Sequence, residues 1–317
     1  MTRKPIPAKL FSGHRTTIAL VLCLFGLCVA RSMLPVKQRA ARGAADDNRV
    51  YLIHADVLHY DRYKNPDAQI LNGHVAFRHQ GATLYCDSAH FYEMSNSFEA
   101  FGHVKMYQGD TLSLFSDYAF YDGNEQMAMA RYNVVLKHRK STLYTDSLNF
   151  DRLYNVGYFF EGGKLVDKDS ELTSDWGEYY TETKQAVFNY DVQLRNKKFF
   201  LTSDTLYYDT GTSVAHAVGP SNITSGASHI YTEDGYYNTN LDRARLFGRS
   251  VMSDKGKWMT GDSVYYDSKQ GTSEAFDNVV YVDSLNKNMM TCDYYWYNEN
   301  TGYGMATKRA VAIDYSQ

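Results

Sequence analysis

Five prolines in 317 residues, no acidic side chain before Asp46 and no apolar run longer than the 13 residues from Ile18 to Ala30 are the shortages that first mark this chain. A run of 13 falls short of the about 20 residues that a membrane-spanning helix requires. Preceded by Arg3, Lys4, Lys9 and Arg15 and followed by more basic residues, it has the build of a secretory signal. Residues 1–30 are therefore expected to be a signal peptide, with an N-terminal anchor as the alternative, and residues 31–49 a flexible leader. The body of the chain is expected to span 50–317. Cys23 and Cys28 lack a lipoprotein context, and scarce proline suits a chain whose backbone N–H groups are committed to ladders.

A basic excess is also missing. Setting aside the eight Lys and Arg of residues 1–45 leaves 25 basic against 36 acidic residues, a formal net of −11. Nucleic-acid binding needs a concentrated basic face, so that class of partner is excluded. No G-x-S-x-G, H-E-x-x-H, P-loop or G-x-G-x-x-G motif occurs. His54 and His59, like His74 and His79, stand five apart and so on opposite faces of a strand, which argues against paired metal ligands. No enzyme, cofactor or metal site is expected.

What the chain has in abundance is repetition, together with 28 tyrosines and 16 phenylalanines. The stretch Leu201 to Asp209, LTSDTLYYD, recurs with its Asp at Asp56, Asp87, Asp117, Asp146, Asp175, Asp204, Asp234, Asp262 and Asp293. The steps are 31, 30, 29, 29, 29, 30, 28 and 31 residues. Self-similarity of this period marks a stack of one supersecondary unit, here nine units of about 29 residues. Seventeen to nineteen residues after each Asp stand Val75, Val104, Val135, Leu165, Val192, Ile223, Val251, Val279 and Val311. Turn-forming residues such as Asn72-Gly73, Gly102, Asn133, Gly219 and Asp277-Asn278 lie between the landmarks, so each unit is expected to run strand, turn, strand, turn.

Strand parity then assigns an interior. Two residues past the Asp are Leu58, Ala89, Ala119, Leu148, Gly177, Leu206, Tyr236, Val264 and Tyr295; four past it are Tyr60, Phe91, Tyr121, Phe150, Tyr179, Tyr208, Asn238, Tyr266 and Tyr297. The small-to-large variation in the first set predicts a cavity of varying bore. On this count the Asp shares the inward parity. An unpaired buried carboxylate is costly, so it is expected at a strand mouth, accepting main-chain N–H groups from the preceding turn. A ladder of cation-binding carboxylates is the alternative, but the neighbours lack the dense ligand runs of a calcium-bound repeat. Cys86 and Cys292, the two cysteines beyond the signal, lie seven repeat steps apart, more than ~30 Å at one strand spacing per step, so no disulfide joins them within one chain.

The units Leu143 to Asp151 (LYTDSLNFD), Leu201 to Asp209 and Met259 to Asp267 (MTGDSVYYD), with their partners Ala100-Phe101-Gly102-His103-Val104 and Ala275-Phe276-Asp277-Asn278-Val279, resemble the OstA/LptA family of lipopolysaccharide-transport proteins. The resemblance covers roughly Val50 to Asp314 and looks closest to the longer OstA-like proteins of the Bacteroides type. It implies an all-β fold, a repeat-built, twisted antiparallel β jelly roll of two sheets in a V. It also implies a non-enzymatic periplasmic carrier or bridge that moves lipopolysaccharide toward the outer membrane, lipid A acyl chains lying in an apolar groove between the sheets.

On that reading the groove is lined by Phe91, Tyr121, Leu148, Phe150, Tyr179, Leu206, Tyr208, Val264 and Tyr266, with Val104, Val135, Val192 and Val279 from the partner strands. Nothing after the last unit looks like a capping element, which marks either a joining surface or a chain that once continued, and the implied partners are other lipopolysaccharide-transport proteins or copies of the chain joined end to end by strand pairing. Two other classes remain: a structural or adhesive β-solenoid with a packed, ligand-free core, and a carbohydrate-active β-helix enzyme. The enzyme is disfavoured because no unit departs from the rest by gathering acid, base and cation ligands.

Overall fold

The computed structural model describes residues 49–315 apart from 62, 64, 111, 167–169, 198 and 299; the expected signal and nearly all of the expected leader lie outside the described residues. Among the described residues every regular element is a strand, 24 in all, and no helix occurs. The chain divides into two compact bodies, one of residues 49–168 with 176–184 and the other of 169–175 with 185–315. In each, consecutive strands pair antiparallel in a meander, as with Ala82–Tyr92, Ser97–Gln108 and Leu112–Asp122 in the first and Phe200–Asp209, Val214–Ser225 and Ser228–Asn238 in the second.

The strands are bent rather than merely twisted. In Phe200–Asp209 the buried residues are Leu201, Ser203, Leu206 and Tyr208, so the alternation that should put Asp204 inside breaks there. Asp204 and Thr205 both leave the interior, and the chain turns a corner. The same pattern holds at Leu84, Cys86, Ala89 and Phe91 around Asp87, and at Leu114, Ser116, Ala119 and Tyr121 around Asp117. This corrects the expected inward parity of the aspartate. Its carboxylate stays in water, on the outside of a bend, where its desolvation cost disappears.

Each neighbouring strand turns the same corner with one extra residue. Ser203 pairs with Val192 and Thr205 with Asn189, so Tyr190 and Asp191 together face Asp204. Both hold left-handed backbone, at φ 64° and 46°. The pair Gly102-His103 does likewise within the unbroken strand Ser97–Gln108, at φ 73° and 43°. The residues expected to form turns between strands are therefore bulges inside strands. Composition could not separate the two, because a bulge and a tight turn require the same positive φ. The reversals lie elsewhere, as at Gln80-Gly81, Gly109-Asp110 and Arg139-Lys140.

Bending gives each body two walls, and the core lies between them. In the first body Phe77, from one wall, stacks on Phe98 of the other at 4.7 Å between ring centroids and meets Phe91 at 5.7 Å. The surrounding core holds Leu71, Val75, Leu84, Ala89, Ala100 and Val104. In the second body Ile230, Met259, Val279 and Cys292 pack from one wall against Leu246, Val264 and Ala275 from the other. Both Cys86 and Cys292 are free and buried, and burial pushes the Cys86 thiol up to about 12.

Four landmarks are shifted by one residue: Asp234, Val135, Val251, which is 36% exposed and pairs with Thr260, and Val311, which is 52% exposed and pairs with Thr291. Thr205, Val218 and Asp234 lie in one cross-strand row, so the residue equivalent to Asp204 is Glu233, not Asp234. The two steps around it become 29 and 29, the inward residues become Gly235 and Tyr237, and all nine residues four past the corner acid are then aromatic. Adjacent acids at 233 and 234 hid the true register. Likewise Val134, 1% exposed, is the inward residue of strand Met127–His138, and Val135 faces outward. A Phe77→Ala variant, which removes the ring joining the walls of the first body, should lose about 3–5 kcal/mol of stability in equilibrium denaturant unfolding, and a loss under ~1 kcal/mol would show that the walls are held by other contacts.

Candidate functional site

The residues four and two places past the corner acid line one side of a half-open apolar cavity of about 220 Å³ in the first body. Tyr121, Phe150, Ala119 and Leu148 come from one wall, with Ala128 and Ala130; Phe77, Leu84, Met106, Leu112 and Leu114 come from the other. The space exists because the sequence puts small side chains there. Ala82, Ala119, Ala128, Ala130 and Gly157 all border it, whereas in the second body the positions equivalent to Ala119 include Leu206, Gly235 and Val264. An apolar cavity of roughly 150 Å³ admits a benzene-sized guest. The present one has room for a segment of one acyl chain rather than for several chains.

One end of the cavity is polar. His79 and Gln80 close a strand end on one wall, and Arg152 begins the reversal after Ser141–Asp151 on the other. His79 Nδ1 donates to the Arg49 carbonyl at 3.1 Å, a partner that can only accept. Nε2 is then the acceptor, receiving the Tyr121 hydroxyl at 3.2 Å and Arg152 Nη1 at 3.3 Å. The His79 and Tyr121 rings lie 4.9 Å apart. This bonding requires a neutral imidazole, and it ties the two walls together across the mouth.

Of the expected groove residues, Phe91, Tyr121, Leu148 and Val104 are buried between the walls of the first body and Phe150 is half-buried there, with Tyr121, Leu148 and Phe150 on the cavity. Tyr179 is buried in the same body. Val192, Leu206, Tyr208, Val264, Tyr266 and Val279 are buried in the second body and do not border this cavity. Val135 faces outward, as above. Sequence reasoning missed His79, Arg152, Phe77 and Met106. For the last two the signal was available, since they sit two positions beyond Val75 and Val104 on the inward parity; for His79 and Arg152, 73 residues apart, no local pattern existed.

The corner acids hold protein partners on the next strand. Asp56 receives His74 Nδ1 at 2.7 Å, Asp87 receives His103 Nδ1 at 2.6 Å, Asp117 receives Asn133 Nδ2 at 2.6 Å and Asp262 receives Asn278 Nδ2 at 2.7 Å. Arg309 grips both oxygens of Asp293 at 2.7 and 2.8 Å. A main-chain N–H from the preceding strand, the expected partner, reaches Asp146 from Asn133 at 2.9 Å. At Gly73 an added Cβ would stand 2.2 Å from an Asp56 oxygen, which is why this bulge needs glycine. Among the described residues no group of three or more His, Cys, Asp or Glu side chains could hold a metal ion.

This geometry sits on a sequence that matches the family described as OstA-like protein over residues 47–204, about half of the chain. The chain belongs to the OstA-like family. Among solved structures the OstA-like chain is similar to LptH of Pseudomonas aeruginosa, described as the LptA homologous periplasmic component of the conserved lipopolysaccharide transport device. That match has 14% identity over 45% of this chain and 93% of that one and a TM-score of 0.23. It is also similar to apo AztD of Citrobacter koseri, at 8% identity over 81% and 88% of the two chains with a TM-score of 0.14. The WD40 domain of SCAP from fission yeast follows at 5% identity over 85% and 91% with a TM-score of 0.13. These superpositions are too loose to bear on function. No curated protein matches the OstA-like chain.

Hydrogen bonding to Asp56 raises the His74 imidazole above its usual value, while bonds from His74 and then His54 lower Asp56 below the usual carboxylate range. The His74 share of the contact is present below the unfolded imidazole value and is lost as pH rises through the raised one. The Asp56 share is present above the unfolded carboxylate value and is lost as pH falls through the lowered one. Both groups are exposed, so the contact is read by titration rather than by stability. NMR should place the His74 midpoint above ~6.5 and return it there in Asp56→Asn; an unchanged midpoint in the variant would mean that the pair does not form in solution.

Proposed function

We propose that this OstA-like protein is a periplasmic carrier or bridge for lipopolysaccharide, exported by its N-terminal segment, that moves the molecule toward the outer membrane. Acyl chains of lipid A lie between the two walls of bent strands. The half-open apolar cavity in the first body is the observation that supports this reading most. It is lined by the aromatic and aliphatic residues that the repeat aims inward, and burial of an acyl chain there would contribute ~25 cal/mol per Å² of apolar surface removed from water. Family membership supports the same class, since the OstA/LptA family that the repeat resembles is one of lipopolysaccharide-transport proteins.

The second body favours a structural role for its own part. Tyr208 and Val264 are 1% exposed there, and Ile230 and Val279 are 0% exposed, which supports a packed core between these walls. The two readings separate by body. A photo-reactive amino acid at Tyr121 or Phe150 should crosslink lipopolysaccharide in cells, while one at the exposed Tyr144 should not. Crosslinks confined to position 144 would overturn the carrier reading.

The terminal strands support end-to-end partners, either copies of the chain or other lipopolysaccharide-transport proteins. Among the described residues Tyr303–Thr307 and Val311–Asp314 pair on one side alone, with Asn288–Asn298, and leave Val311 and Ile313 about half exposed. Tyr51–His54 and Val57–Asp61 likewise pair only with Asn65–His79. Charges block strand addition at such edges. Val311→Lys with Ile313→Lys should abolish self-association in sedimentation, and assemblies of unchanged size would place the joint elsewhere.

A further inference from the structure

The polar end of the cavity holds a cation whose charge no carboxylate among the described residues compensates. Arg152 is half-buried, and its side chain hydrogen-bonds to the neutral His79 ring. Among the described residues no carboxylate pairs with it. Three other arginines of this acidic chain are treated differently, while Arg195 and Arg245 lie over the Phe200 and Tyr265 rings. Arg243, Arg249 and Arg309 each hold an aspartate, at 2.7, 3.3 and 2.7 Å. Arg131 instead donates to the Ala130 and Leu148 carbonyls and lies over the Phe160 ring. With 36 acidic residues in the chain, a carboxylate beside Arg152 was not lacking for want of supply.

A guanidinium keeps its proton and presents a planar fork that fits carboxylate and phosphate oxygens. Beside an apolar cavity its field is screened less than in open water. The single-chain bore behind it fixes the rest of the ligand. We propose that Arg152 is the anion-binding end of this cavity, which takes an amphiphile by one acyl chain with its phosphate or carboxylate on the guanidinium. His79 acts as a positioning residue. Its Nε2 accepts from Arg152 and Tyr121 together and so holds the guanidinium at the mouth. The inference rests on the acyl-binding reading above and adds the class of headgroup.

The test is displacement of a fluorescent fatty-acyl probe from the purified full chain by dodecyl phosphate, laurate and dodecanol. The wild-type protein is compared with Arg152→Gln and Arg152→Lys. On the wild type, dodecyl phosphate or laurate should compete at roughly tenfold lower concentration than dodecanol, the scale of one charged hydrogen-bonding contact. The better of the two identifies the head. Arg152→Gln should erase that advantage and leave dodecanol unchanged, while Arg152→Lys should keep part of it and guards against loss of fold in the first variant. Equal competition by the alcohol and the anions on the wild type, or an advantage that survives in Arg152→Gln, overturns the assignment to Arg152 and leaves the acyl-binding reading standing. A probe that does not bind the wild type overturns both.

Discussion

The bend at each corner acid is the constraint on which the structure depends. A straight strand buries one face in period two; a strand that turns at Asp204 buries Leu201 and Ser203 on one wall and Leu206 and Tyr208 on the other. The extra residue opposite, in left-handed backbone at Tyr190 and Asp191, lets the neighbour follow without breaking the ladder on either side. At Asp56, Asp87, Asp117, Asp262 and Asp293 the carboxylate outside the bend bonds the bulge of the next strand. It secures the corner from the solvent side, where a charged group needs no buried counter-charge.

Once the walls exist, side-chain volume decides whether the space between them is filled. In the first body Phe77, Phe91 and Phe98 close one region, while the alanines 82, 119, 128 and 130 with Gly157 leave the next one open. An unfilled apolar space lowers stability because its lining atoms lose contacts, so its persistence beside side chains as buried as Leu71 and Val75, both 0% exposed, is consistent with use. The bridge from His79 to Tyr121 and Arg152 keeps the walls from closing over it or spreading apart.

Much of this was legible in the sequence because it is periodic. The nine acids, the aromatic four places on and the inward set follow from counting, and they locate Phe91, Tyr121 and Tyr208 between the walls. Three things were not legible. Positive φ serves turns and bulges alike, so Gly102-His103 read as a reversal. Adjacent acids at 233 and 234 left two registers open, and only cross-strand pairing chose between them. The cavity mouth joins residues 73 apart through a bend and several strands, a contact with no trace in any local pattern.

Each 29-residue repeat contributes two bent strands, and the corner returns the chain to the same inside and outside every time. Gain or loss of one whole repeat therefore leaves all the others in register and changes the stack by two strand spacings, roughly 9.6 Å. The gene is in this sense a ruler, graduated in repeats, by which the reach of such a protein can be lengthened or shortened without redesigning any layer.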